Sequence, residues 1–218
     1  MMSEKACELT KDKVDELLEF SGETRETVCF IEVPKIYEII REYAFANCSN
    51  LQRVQLPDGI TFIGKYAFSS CESLERINFP EELVCIDNGA FMGCLNLKRV
   101  KFPANLKIIG ESAFRNCHSL KKVLIPKSLV AIEDYAFCHC RGIRKVRFEK
   151  GSELKELGFM AFGQIRRLWH FPERAFPKQF KGNFRRWDAF IDSSARINFF
   201  REPVRKIRFR FKMYDLLY

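Results

Sequence analysis

The feature that most constrains this chain is a fixed period. The dipeptide Ala-Phe stands at Ala44-Phe45, Ala67-Phe68, Ala90-Phe91, Ala113-Phe114 and Ala136-Phe137, each 23 residues after the last, and at Ala161-Phe162 after 25. The two extra residues fall around Gly151-Ser152, a turn-like site that can absorb them. Three residues after each Phe come Cys48, Cys71, Cys94, Cys117 and Cys140, with Ile165 in the last unit. Leu51, Leu74, Leu97, Leu120, Ile143 and Leu168 follow, then Val54, Ile77, Val100, Val123 and Val146, then Leu56, Phe79, Phe102, Ile125 and Phe148. A proline closes the motif at Pro57, Pro80, Pro103 and Pro126. Columns of one residue type at one period demand the same environment in every unit, and only stacked units supply it.

Each unit contributes a strand. In L-x-x-V-x-I the last two apolar residues are two apart, the period of a strand, and the proline behind them ends the ladder. The remaining stretch, long enough for a crossover, lets successive strands stack in parallel. The return carries Ile63, Ala67 and Phe68 and their equivalents at spacings of four and one, which predicts a short helical or 3₁₀ turn packed on the inner side of the sheet.

A stack needs caps. Residues 1–24 are expected to form a helical one: Val14, Leu17 and Leu18 share a helical face, Thr10 is placed to cap its N-terminus, and Gly22 lies just past its end. The repeats then run over 25–172. Residues 173–218 hold 12 Lys plus Arg against 5 Asp plus Glu, so +7 of the total +9 lies there. Phe176, Phe180, Phe184, Trp187 and Phe190 make a helix-like apolar stripe in that segment, and Val204 to Phe209 repeats the V-x-x-I-x-F strand pattern, which predicts a degenerate last unit serving as a cap.

Leu120 to Cys140 reads LKKVLIPKSLVAIEDYAFCHC. This resembles the leucine-rich repeats of the BspA-like subclass, whose unit has the form LxxVxIPxxVxxIGxxAFxxC. The resemblance covers about Val28 to Leu168. Its first unit is incomplete: Val28, Ile31, Val33, Pro34, Ile40 and Phe45 fit, but Arg25 stands at the cysteine position. After Glu149 the proline is lost, and the pattern fades past Phe171. The resemblance implies an α/β repeat solenoid, a right-handed leucine-rich-repeat superhelix with a parallel sheet on one face and short helical or 3₁₀ returns on the other. It also implies a non-catalytic protein-binding module, because BspA-like proteins are associated with cell-surface adhesion and host-protein binding.

The residues offer little for catalysis or a cofactor. His118, His139 and His170 lie in no H-E-x-x-H or G-x-S-x-G context, and Gly64, Gly110 and Gly158 read as repeat turns rather than phosphate cradles. No cofactor and no metal are expected. Cys117, His118, Cys138, His139 and Cys140 are dense, but Cys117 and Cys140 should point inward while His118, Cys138 and His139 sit at an exposed corner, so four ligands do not converge. Stacked column cysteines carry parallel Cα–Cβ vectors about 4.8 Å apart, which does not suit a disulfide. Free buried thiols are expected among the nine cysteines. An odd cysteine count, no apolar run near the roughly 18 residues of a membrane span, and a charged opening stretch predict a cytoplasmic location, with surface exposure only by a non-classical route. A monomer is expected.

Charge is informative. The x positions of L-x-x-V-x-I point to the open face of the sheet. Of the fifteen between Leu51 and Phe148, ten are basic: Arg53, Arg76, Lys98, Arg99, Lys101, Lys121, Lys122, Arg144, Lys145 and Arg147. Glu75 alone is acidic there, while Asp58, Glu81, Glu82, Asp87, Glu111, Glu133, Asp134, Glu153 and Glu156 stand on the returns. Lysine and arginine suit a solvated strand face and discourage lateral association. Like charges repeated at strand spacing also repel, a local cost that a ligand would relieve. The expected partner is an acidic protein, with nucleic acid or an anionic membrane surface as the alternative. Phe30 and Trp169 are the aromatics in line on that face, too few for a stacking platform.

Overall fold

The computed structural model describes residues 7–165. The expectations for Leu168 to Phe171, for the aromatic stripe and for the Val204 to Phe209 cap lie outside these residues. In chain order, β1 (Glu8–Leu9) and α1 (Lys11–Ser21) precede the repeats. Most units then hold two short strands: β2 (Phe30–Glu32) with β3 (Ile39–Ile40), β4 (Arg53–Gln55) with β5 (Phe62–Ile63), and β6 (Arg76–Ile77) with β7 (Cys85–Ile86). Next come β8 (Ile108–Ile109), then β9 (Lys122–Ile125) with β10 (Ala131–Ile132), and β11 (Lys145–Phe148) with β12 (Glu156–Leu157).

All pairings are parallel and follow the sequence order. On the L-x-x-V-x-I side, β2, β4 and β6 pair in turn, an isolated Arg76 to Arg99 bridge carries the ladder on, and β9 pairs with β11. On a second side, β1, β3, β5, β7, β8, β10 and β12 form one continuous seven-stranded sheet. The N-terminal segment therefore supplies the first strand of this second sheet, with Leu9 fully buried beneath the stack.

The returns differ from expectation. Among the described residues the units hold no helix; each return is a second strand followed by a run of turns. Backbone bonding gives the reason. Around Ala44-Phe45, the N–H groups of Tyr43, Phe45 and Asn47 donate to Lys65, Ala67 and Ser69 in the next unit, while those of Ala44, Ala46 and Cys48 donate to Arg41, Tyr43 and Phe45 in their own. The later units repeat this alternation. A helix would keep every donor to itself, whereas this turn offers every second donor to its neighbour and leaves none of these groups unpaired. Left-handed residues at both ends make the alternation possible, Tyr43 (φ 58°) and Asn47 (φ 64°) in one unit and Ser112 (φ 56°) and Asn116 (φ 65°) in another.

Inside, the apolar columns stack. The rings of Phe45, Phe68, Phe91, Phe114, Phe137 and Phe162 lie 4.8 to 5.2 Å apart with interplanar angles of 7° or less. That spacing is the spacing of neighbouring strands, so ring stacking and backbone pairing share one rise. Each such side chain, taken from water, contributes about 1.5–3 kcal/mol.

The ends of the stack are closed differently. Thr10 caps α1 by accepting the N–H of Lys13, and Gly22 ends it in a left-handed conformation (φ 73°). Val14 and Leu18 bury the helix face against the first unit. Arg25, in the cysteine column, meets Asp15 at 2.6 Å and donates to the carbonyls of Ala44 (3.0 Å), Ala46 (3.3 Å) and Lys11 (3.2 Å). Its guanidinium thus occupies the place that a preceding unit would fill.

Gly64 and Gly110 are needed for close approach rather than for a left-handed turn. A Cβ on Gly64 would come within 2.9 Å of the Ile40–Glu42 backbone, and one on Gly110 within 2.6 Å of Asn88 Oδ1 and 2.7 Å of its backbone nitrogen. Glycine holds this corner in alternate units: Arg41, Gly64, Asp87, Gly110, Glu133 and Gly158 follow one another along it.

Candidate binding face

The open sheet face is built by the alternation of its strands. Val54, Ile77, Val123 and Val146 turn into the core, so their neighbours turn out. All ten predicted basic residues, Arg53, Arg76, Lys98, Arg99, Lys101, Lys121, Lys122, Arg144, Lys145 and Arg147, are exposed there. Register aligns Arg53 with Arg76, Arg76 with Arg99, and Lys122 with Lys145, so two runs of cations at strand spacing lie along the stack, and the repeat position carries the series from Arg99 to Lys122. Lys98, Lys121 and Arg144 flank it on one side and Lys101 and Arg147 on the other.

Among the described residues, Lys98 is the one member of this set in an ion pair: its Nζ lies 2.6 Å from Glu75 Oε1 in the preceding unit. The hydrogen bond and charge of Lys98 hold the Glu75 carboxyl below its ordinary range. Leu124 stands within the cationic grid with 50% of its surface exposed. Its register partner is Arg147.

At the N-terminal end the face changes character. Phe30 is 51% exposed and aligns with Arg53 in the head position of the arginine column. Cys29, Phe30, Gln52, Arg53, Glu75 and Arg76 line a shallow depression of about 310 Å³. Periodicity alone does not reveal this hollow, because it is formed jointly by side chains of three adjacent units.

The return carboxylates differ in their exposure. Asp87 is buried, and burial pushes its carboxyl above the ordinary range. Burial raises Glu133 and Glu156 as well. The Glu111 N–H is shared between Asn88 Oδ1 (2.9 Å) and Glu133 Oε2 (3.1 Å), tying three consecutive units together on this side.

The column cysteines are fully buried, and each thiol from Cys71 onward donates to a phenylalanine carbonyl of the preceding unit. Burial pushes the thiols of Cys71, Cys94 and Cys117 well above their ordinary value. Of the residues expected at an exposed corner, His118 is exposed, but Cys138 is buried. Cys138 stands at the repeat position of Ala46 and Ser69, small side chains that are buried as well, so the position admits a thiol without exposing it. No group of three metal-ligating side chains comes together among the described residues.

The BspA type leucine rich repeat region, as a family, matches residues 25–144 in six copies. The crystal structures similar to this chain include the following three. A leucine rich cell surface protein from Faecalibacterium prausnitzii is 29% identical over 56% of this chain and 32% of its own, with a TM-score of 0.54. A leucine-rich repeat protein from Bacteroides ovatus is 28% identical over 63% of this chain and 38% of its own (TM-score 0.56). The T. pallidum leucine rich repeat protein is 25% identical over 72% of this chain and 82% of its own (TM-score 0.55). The chain thus spans about a third of the length of the F. prausnitzii protein. Comparison with curated protein sequences found no match.

Proposed function

Because this chain belongs to the BspA-type leucine-rich repeat family, we propose that it is a non-catalytic protein-binding module whose basic open face recognises an acidic protein partner. The observation that carries this reading is the cationic grid: ten exposed Lys and Arg on one sheet face, with one ion pair among them in the described residues. Cations at strand spacing lie within the roughly 8 Å screening length of physiological salt, so their potentials add. The Glu75 to Lys98 contact supports this reading as an intramolecular instance of the same pairing, a carboxylate on a lysine of the grid. A name is also suggestive: the F. prausnitzii relative is called a cell surface protein, and an adhesion-type role for this chain belongs to the same proposal.

The test is fluorescence anisotropy of a labelled octaglutamate peptide with the full chain across a salt titration. Wild type should bind, and binding should weaken as salt rises. Changing Arg99, Lys122 and Lys145 together to Glu reverses three charges without touching an apolar column, so the thermal transition should persist while binding disappears. Unchanged affinity in that folded variant would make the grid a solubility device. Tighter binding of an oligothymidylate of equal charge would point instead to nucleic acid, with log affinity falling linearly in log salt. Anionic vesicles in the same titration test the membrane alternative.

A further inference from the structure

Resting on that reading of the face, we infer that the depression at its N-terminal end is an anchor site for an aromatic side chain of the acidic partner. The occupant is an extended acidic segment whose carboxylates lie along the cation column and whose one ring-bearing residue seats between Phe30 and the guanidinium groups of Arg53 and Arg76.

Three observations carry this. The hollow is about 310 Å³, at the small end of the ~300–1,000 Å³ range of ligand pockets, which suits one side chain and not a folded element. Its wall holds a half-exposed ring next to two arginines, and both partners favour an aromatic guest: rings pair offset or edge to face, and guanidinium planes stack on ring faces. Finally, the carboxylate in that wall, Glu75, is already paired with Lys98 at 2.6 Å, so a cation stands beside it and offsets its repulsion of an acidic segment entering the hollow.

Position adds direction. Phe30, Arg53, Arg76 and Arg99 follow one another in register, so the hollow opens into the head of the cation column and is continuous with it. A uniform grid would accept an acidic segment in either orientation and at any offset. An anchor at one end fixes both, because the ring sets which end of the segment lies at the first units. This is recognition by a few apolar contacts surrounded by steering charge, the usual division of labour at protein interfaces.

The experiment compares three labelled probes on the full chain at physiological salt: octaglutamate, octaglutamate with one phenylalanine added at its N-terminus, and octaglutamate with one added at its C-terminus. One phenylalanine peptide should bind about tenfold more tightly than octaglutamate, and the other should gain little. Phe30→Ser should remove the gain of that peptide over octaglutamate, the two probes being compared on the same variant. Arg76→Gln, at an exposed strand position, should reduce it in the same direction. Equal affinity for all three peptides, or a gain that survives in both variants with their thermal transitions intact, overturns the anchor while leaving the basic-face reading standing. If octaglutamate itself fails to bind, or binds unaltered in the triple charge reversal, the basic-face reading falls and the anchor with it.

Discussion

The thiol of Cys71 donates to the carbonyl oxygen of Phe45, 3.1 Å away in the preceding unit. That oxygen also accepts the backbone N–H of Cys48, so one carbonyl joins a turn within its unit to a side chain of the next. Cys94, Cys117 and Cys140 repeat the contact. The column is therefore a row of small donors matched to buried acceptors, which explains why a cysteine stands where valine or leucine would otherwise fit. Changing Cys94 to Ala should cost about 1–2 kcal/mol, from a small cavity plus a lost weak hydrogen bond. Urea unfolding measures this. Thiol labelling of the native protein should reach exposed Cys29 first and leave the five column members unreacted until the chain unfolds.

Arg25 gives a second prediction. Arg25→Ala removes the donor shared by the Ala44 and Ala46 carbonyls and leaves Asp15 without its 2.6 Å partner. The expected loss is about 1–3 kcal/mol. It should appear as faster amide exchange in α1 and the first unit, with the later units protected as before. Uniform loss of protection along the whole stack would contradict a local capping role.

Gly110 and Gly59 make a controlled pair. A Cβ on Gly110 would collide with the backbone and side chain of Asn88, whereas one on Gly59 meets nothing within 4 Å. Gly110→Ala should destabilise by more than ~1 kcal/mol, and Gly59→Ala should be neutral or slightly stabilising through the unfolded chain. Equal midpoints in urea would remove the close-approach argument.

The buried Asp87 carboxyl sets a pH dependence. An acid whose pKa is raised by folding favours the native state at low pH, and that contribution is lost as pH rises from the ordinary aspartate range, about pH 4, through the folded value. Asp87→Asn keeps the Oδ1 that accepts the Asn88 N–H and removes the charge. The variant's melting temperature minus that of wild type should therefore grow from pH 4 to pH 7. A difference that shrinks over this interval would reverse the sign assigned to Asp87.

Much of this was readable from the chain because a repeat tests each position several times over. Leu74 and Leu97 had to face the same core, and the ten basic positions had to share one solvated face, since strand alternation leaves no other choice. The second strand of each unit was hidden for a physical reason. Phe62–Ile63 and Ile108–Ile109 are two residues long, too short to show alternation, and their strand character comes from pairing with other units. The left-handed residues were hidden because several of them, such as Tyr43 and Ser70, are neither glycine nor asparagine. The Phe30 depression and the Glu75 to Lys98 pair depend on neighbouring side chains in three dimensions, which no single column contains.

The alternation of Arg41, Gly64, Asp87, Gly110, Glu133 and Gly158 bears on how such an array can lengthen or be edited. A unit bearing a side chain at that corner is followed each time by one that has none, so at this corner the array repeats by doublets rather than by single coils. Inserting or deleting one coil would set two bulky corners, or two empty ones, side by side. Grafting coils in pairs keeps every junction native. Constructions that shorten, extend or splice this scaffold should therefore succeed with even steps and fail with odd ones, whatever the similarity of the coils exchanged.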